Sequence, residues 1–136
     1  MLRSAITAAA IILLPISVHA ASNDFPSARL GTSVPQDGMT VTDWYKQNVY
    51  DPNDNKIGEI MDVLVDKSGR ITTLIVGVGG FLGAGEKDVA VPFGEVHPTM
   101  KNKKWYLVMN TTKESLKSAP GFKYDSTTTS WVPDRS

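Results

Sequence analysis

Several residue groups in this chain have types and spacings that could do chemistry. Gly80 and Gly85, followed by Glu86, hold the G-x-x-x-x-G spacing of a phosphate loop. That loop needs a lysine directly after its second glycine. Glu86 stands there instead, and a carboxylate repels phosphate. Gly77 and Gly79 begin a dinucleotide fingerprint, but Leu82 sits where its third glycine belongs. A strand also follows where a helix N-terminus would have to receive the pyrophosphate. Asp51, Asn53 and Asn55 imitate the start of a calcium loop. Lys56 at its sixth position and Asp62 at its twelfth replace the required Gly and Glu. His97 is the sole histidine beyond the first twenty residues. Metal sites gather several His, Cys or carboxylate ligands, and no such group surrounds it in sequence. No Ser or Cys is presented by a nucleophile motif such as G-x-S-x-G. A carboxylate pair assembled in space from Glu59, Asp62 and Glu86 is left open, because spacing does not reveal one. Lys101, Lys103 and Lys104 beside Trp105-Tyr106 could meet an anionic surface. The reading is therefore no catalytic, cofactor-binding or metal residues, and no cofactor.

These residues need a frame. Thr40 to Tyr50 is read as a short helical turn and a first strand. Asp51 to Asn55 is an Asx-rich turn. Lys56 to Asp66 is a second strand, with Gly58 marking a bulge or bend. Lys67 to Arg70 is a tight hairpin turn. Ile71 to Val78 is a third strand, and the glycine-rich stretch follows it. Asp88 to Val91 is a fourth strand, stopped by Pro92. Lys104 to Asn110 is a fifth, entered from a basic tip at Lys101-Asn102-Lys103 that also blunts an edge. Thr111 and Glu114 stand at capping-box spacing before a short helix ending at Pro120-Gly121. Trp131 either docks on the domain or belongs to a loose tail. Strands this short must close or curl to share a core. The expected core is Ile57, Val63, Val65, Ile75, Val89 and Leu107. The fold class is all-β, mostly antiparallel, with one short C-terminal helix.

Residues 1–20 read as a signal peptide. Arg3 precedes an apolar run from Ala5 to Ile16, and Val18-His19-Ala20 carries small residues at the cleavage positions. The run is shorter than the ~20 residues a spanning helix needs. Residues 21–39 form a polar leader broken by Pro26, Pro35, Gly31 and Gly38. Residues 40–124 make the domain, and 125–136 a polar tail. The chain has 14 basic and 14 acidic residues. A general nucleic-acid binder needs a basic surplus to neutralise phosphates, so that class is excluded. There is no cysteine. An exported domain without disulfides must hold itself together through its core.

The run Asn55-Lys56-Ile57-Gly58-Glu59-Ile60, then Asp62 to Asp66 and Gly69-Arg70-Ile71, resembles the opening of a PRC-barrel domain. Gly79 to Gly83, with Gly85-Glu86-Lys87-Asp88-Val89-Ala90-Val91-Pro92-Phe93, is similar to its second half. Thr112-Lys113, Leu116-Lys117 and Ala119-Pro120 resemble the closing helix of exported alphaproteobacterial members. The family takes in the cytoplasmic domain of the photosynthetic reaction-centre H subunit and the C-terminal domain of a ribosome maturation factor. The chain shows neither the membrane helix of the first nor the RNA-associated domain of the second.

The resemblance implies a small PRC-type β-barrel that docks other proteins and has no shared catalytic centre. With the export signal, it gives a non-enzymatic periplasmic or secreted module for protein–protein interaction, in envelope or stress physiology. The alternative is a carrier of a small ligand or metal. The expected partner is an unidentified protein, not nucleic acid. Membrane contact is expected only through the signal peptide or weakly at the periphery, and the oligomeric state stays open. Candidate partner-binding residues are Phe81, Leu82, Glu86, Lys87, Lys101 and Lys103. Phe81-Leu82 is either a plug over one barrel end or an exposed docking tip flanked by Glu86 and Lys87.

Overall fold

The computed structural model of the protein describes residues 5, 7–17, 24–79 and 85–136. Cleavage after Ala20 and the Phe81-Leu82 pair fall outside these residues. The chain divides into two units, Met1–Pro35 and Gln36–Ser136. In the first, the described residues form no helix or strand. Among the described residues, no helix is long and apolar enough to cross a membrane.

The second unit is all-β. A 3₁₀ turn, Val41–Asp43, opens with a reciprocal cap. Thr40 Oγ1 accepts the Asp43 N–H at 3.1 Å, and Asp43 Oδ2 accepts the Thr40 N–H at 2.9 Å. Strand β1 is Asn48–Tyr50, β2 is Lys56–Val65 and β3 is Ile71–Val78. Strand β4 is Lys87–Pro92, and a second 3₁₀ turn, Phe93–Glu95, leads into β5, Val96–Lys101. Then come β6, Lys104–Met109, helix α1, Lys113–Ser118, and a last hairpin of β7, Gly121–Asp125, and β8, Ser130–Pro133. The strand order is β5-β6-β1-β2-β3-β4-β7-β8. All neighbours are antiparallel except β1 and β6, which run parallel.

Of the two expected outcomes, closing or curling, the sheet takes the second: β5 and β8 are its two edges, and among the described residues no hydrogen-bonded seam joins them. The ladder between β4 and β7 is short, pairing Asp88 with Phe122 and Val89 with Gly121. Beyond it the β7–β8 hairpin turns back across the sheet. Trp131 on β8 donates its indole N–H to Asp62 Oδ2 on β2, at 2.7 Å, although β3, β4 and β7 lie between them in strand order. One side-chain hydrogen bond thus does part of what a backbone seam does in a closed barrel. Of the two readings of Trp131, docking is what the structure shows.

The main core gathers Val49, Ile57, Ile60, Leu74, Val76, Val78, Val89, Leu107 and their neighbours. Trp44 and Phe93 join it with ring centroids 4.7 Å apart. Ile57, Val89 and Leu107 are core residues, as expected. Ile75 is also buried, but it lies outside that cluster. It alternates with Leu74 and Val76, so it faces the opposite side of the sheet, the side that Trp131 crosses. Val63 is half-buried and packs on the cluster's margin. Val65 corrects the expectation: it is 59% exposed. Register shifts between Ile60 and Asp62, and again between Leu64 and Val65, upset the simple alternation. Val65 then lies at the strand's end beside the turn, opposite Ile71.

Other local signals hold with small displacements. Gly58 sits at a register shift between β1 and β2. A Cβ there would lie 2.6 Å from Val76 Cγ1 and 3.0 Å from the Gly77 carbonyl oxygen, so glycine permits β2 and β3 to approach. Gly69 has φ +85°, and Asp66 Oδ1 accepts the Ser68 and Arg70 N–H groups at 2.8 and 3.1 Å. The helix N-cap is Thr112 rather than Thr111. Its Oγ1 accepts the Ser115 N–H at 3.1 Å, while the Thr111 N–H bonds to the Met109 carbonyl.

Candidate functional site

The β5–β6 hairpin turns through Asn102 and Lys103 alone, with φ of 50° and 61°. Two positive φ values in a two-residue loop fit the twist of the flanking strands. Asn tolerates that region; Lys103 holds it without glycine's freedom. The result is a narrow apex carrying lysines. Lys101 and Lys104 close the turn directly opposite each other. Like charges in such a pair repel. Asp54, from the β1–β2 turn, relieves this by pairing with Lys101 Nζ at 2.9 Å. Both partners are well exposed, so the pair positions Lys101 more than it stabilises the fold. Lys101 Nζ also lies 5.4 Å from the centre of the Tyr106 ring, which packs on Tyr50 at 5.6 Å. Among the described residues, Lys103 and Lys104 have no ion pair.

Beside these lysines stands Trp105, 36% exposed and paired across the ladder with Met100, which is 52% exposed. Two shallow depressions of about 320 and 160 Å³ flank Trp105 and share Gln47 and Lys104. The surface thus combines unpaired ammonium groups with a partly buried indole. Such a surface attracts an anionic partner through solvent-screened charge and then buries apolar area against it.

Glu86 and Lys87 lie elsewhere: β6, β1, β2 and β3 separate β4 from the β5 that ends in Lys101. Among the described candidates, Glu86 and Lys87 therefore lie apart from Lys101 and Lys103. Lys87 Nζ donates to the Lys117 carbonyl at 2.7 Å, near the C-terminus of α1. A cation suits that end of a helix. The Glu86 carboxylate lies over Gly77, close enough that a Cβ there would collide with it. It shares with Glu59, Lys56 and Lys113 a cleft of about 240 Å³, smaller than the ~300 Å³ at which small-molecule pockets begin. Of the carboxylates that could have paired in space, Glu59 and Glu86 both line that cleft. Asp62 does not: its Oδ1 takes the Val63 N–H at 2.8 Å and its Oδ2 takes Trp131.

Next to Glu86, Asp88 has an enclosed Oδ1 with no hydrogen-bond partner among the described residues. Burial, and then the Glu86 charge, push its carboxyl above the usual value. This was not legible beforehand, because strand alternation with Val89 and Val91 makes Asp88 look solvent-facing. The calcium-like stretch is a turn. Asp51 Oδ1 accepts the Asn53 and Asn55 N–H groups at 2.8 and 2.9 Å, and its Oδ2 accepts from the Asn55 side chain. Those bonds, led by the Asn55 side chain, hold Asp51 below its usual value. His97 is exposed on β5. Among the described residues, no three His, Cys, Asp or Glu side chains are grouped to hold a metal ion.

A family model described as PRC-barrel domain matches residues 36–116, more than half of the chain. This chain belongs to the PRC-barrel family, whose domains are generally non-catalytic modules. No curated protein matches it.

Proposed function

We propose that the chain is a non-enzymatic PRC-barrel module that binds another protein in the periplasm or outside the cell, after removal of residues 1–20. Its setting is envelope maintenance or stress tolerance. The observation that carries this reading is the hairpin apex, where Lys103 and Lys104 stand without ion pairs among the described residues, beside a partly exposed Trp105. Lys101, braced by Asp54 and Tyr106, extends the same surface. The export pattern from Arg3 to Ala20 supports the compartment. Phe81 and Leu82 join the reading only as an exposed docking tip, the alternative to a plug over one barrel end. Catalysis finds little support: no nucleophile motif is present, and the cleft around Glu86 is small.

The test is a pull-down of the mature protein from envelope extract, paired with native mass spectrometry of the purified protein. The expected result is a discrete protein partner, lost at high salt and on Lys104→Glu, with no small molecule retained. A retained ligand or metal without a protein partner overturns the reading in favour of a carrier. A mature species that still carries Met1 removes the exported compartment.

A further inference from the structure

Strand β2 is ten residues long, but β1 covers only its first half. The register between them runs from Lys56 to Glu59, and two further backbone bonds tie Ile60 to Lys46 and Gln47. From Met61 to Val65, β2 pairs with β3 on one side; among the described residues no strand flanks the other. This open edge runs beside a groove of about 520 Å³ between β2 and the β7–β8 hairpin. The groove is lined by Val63, Leu64 and Val65 from β2 and by Tyr124 and Trp131 from the hairpin. Val65 is 59% and Tyr124 54% exposed. Its one ionisable carboxylate is Asp62, held by the Val63 N–H and the Trp131 indole.

The geometry points to strand addition: the Met61–Val65 edge accepts an extended, cationic segment of another polypeptide. The open backbone side sets the shape of the ligand: Asp62 Oδ1 already takes the Val63 N–H at 2.8 Å, and the edge groups beside it are left for another strand to complete. Five residues of edge span ~16 Å, room for a short strand. The apolar lining selects β-branched or aromatic side chains at alternate positions. The single negative charge selects the sign, a Lys or Arg set against Asp62. The groove lies on a different strand from the lysine apex of β5–β6, and the two surfaces prefer opposite charges. A partner that met both would present a basic strand and an acidic patch.

The experiment uses the full mature chain and an acetylated, amidated hexapeptide alternating valine and lysine. A second peptide carries the same side chains with alternate backbone nitrogens methylated. Amide shifts and hydrogen exchange are followed by NMR. The expected result is slowed exchange within Met61–Val65, a shifted Trp131 indole N–H and no change at Lys103 or Trp105. Methylation should abolish binding, since it removes the backbone donors. Asp62→Asn removes the charge and leaves one acceptor oxygen for two donors, the Val63 N–H and the Trp131 indole, and should weaken binding roughly tenfold or less. Ser130→Lys, on the exposed rim, should weaken it without touching the Asp62 bonds. Equal binding by the methylated peptide, no binding at millimolar concentration, or perturbation centred on Lys103 overturns the proposal. So does protection of Met61–Val65 in a concentration-dependent dimer of the chain alone.

Discussion

Strands β3 and β5 show two ways for one sheet to use a strand. From Leu74 to Val78, β3 is buried without a break. Its neighbours β2 and β4 pair with it along its length, and both of its faces are covered. In β5 only Val96 is buried, and among the described residues β6 is its one neighbour in the sheet. Stability therefore concentrates in β2, β3 and β4, while β5 and its turn carry charge and a half-exposed indole at little cost to folding. The lesson is a division of labour: a rigid centre fixes the register, and the edges are left to vary in what they present.

The contrast is broken most severely by truncating the centre. Leu74→Ala should cost about 2–5 kcal/mol, while Met100→Ala on β5 should stay within about 0.5 kcal/mol. Urea unfolding of the two variants checks this; similar midpoints would dissolve the contrast. Next come the glycines between β2 and β3. Gly58→Ala meets the Gly77 backbone, which cannot yield, and should cost about 1–3 kcal/mol. Gly77→Ala meets only the Glu86 and Met61 side chains, which can move, and should cost less. Calorimetric melting of the pair gives the order. Trp131→Phe tests whether the β7–β8 hairpin belongs with the centre. It removes a donor from the Asp62 carboxylate and should cost about 1–3 kcal/mol. A lower melting temperature, with faster amide exchange along β7, is the expected readout.

The smallest effect is electrostatic. The Asp88 carboxyl is raised in the folded state, chiefly by burial and further by Glu86. Its contribution is fully present below the unfolded pKa and is lost as pH rises through the folded one. Asp88→Asn should therefore raise the melting temperature slightly at pH 7, by a fraction of a kcal/mol because solvent screens the group. The gain should vanish below about pH 3.9. Asp51, Asp66 and Asp125 behave oppositely. Turn hydrogen bonds lower them, so their contribution is present at neutral pH and is lost as pH falls. Melting curves between pH 3 and 8, for the parent chain and Asp88→Asn, separate the two trends.

The same contrast explains what could be read from the residues. Strand β3 was legible because Ile71 to Val78 is a β-branched run leading into glycines. The turns at Asp51 and Asp66 were legible because their carboxylates cap the backbone within four residues. Strand β5 was not. Val96-His97-Pro98-Thr99-Met100-Lys101 sets one residue into the core and carries Pro98, which only an edge accommodates. Val65 was misplaced because two register shifts in β2 have no signature in the sequence around them. The bond from Trp131 to Asp62 spans 69 residues, and no local pattern announces a contact of that range. Lys101 and Lys103 were legible as a basic tip, and their setting agrees with that reading. The distance of that tip from Glu86 and Lys87 was not readable, because strand order decides it.

The docking role of the apex is tested most directly by a photo-crosslinking residue placed at Lys103 in intact cells, with the exposed Glu95 at the other end of β5 as control. A discrete protein adduct should form at position 103, be absent at 95, and disappear with Lys104→Glu while the melting temperature stays unchanged. Equal adducts at both positions, or lipid alone at 103, would contradict it.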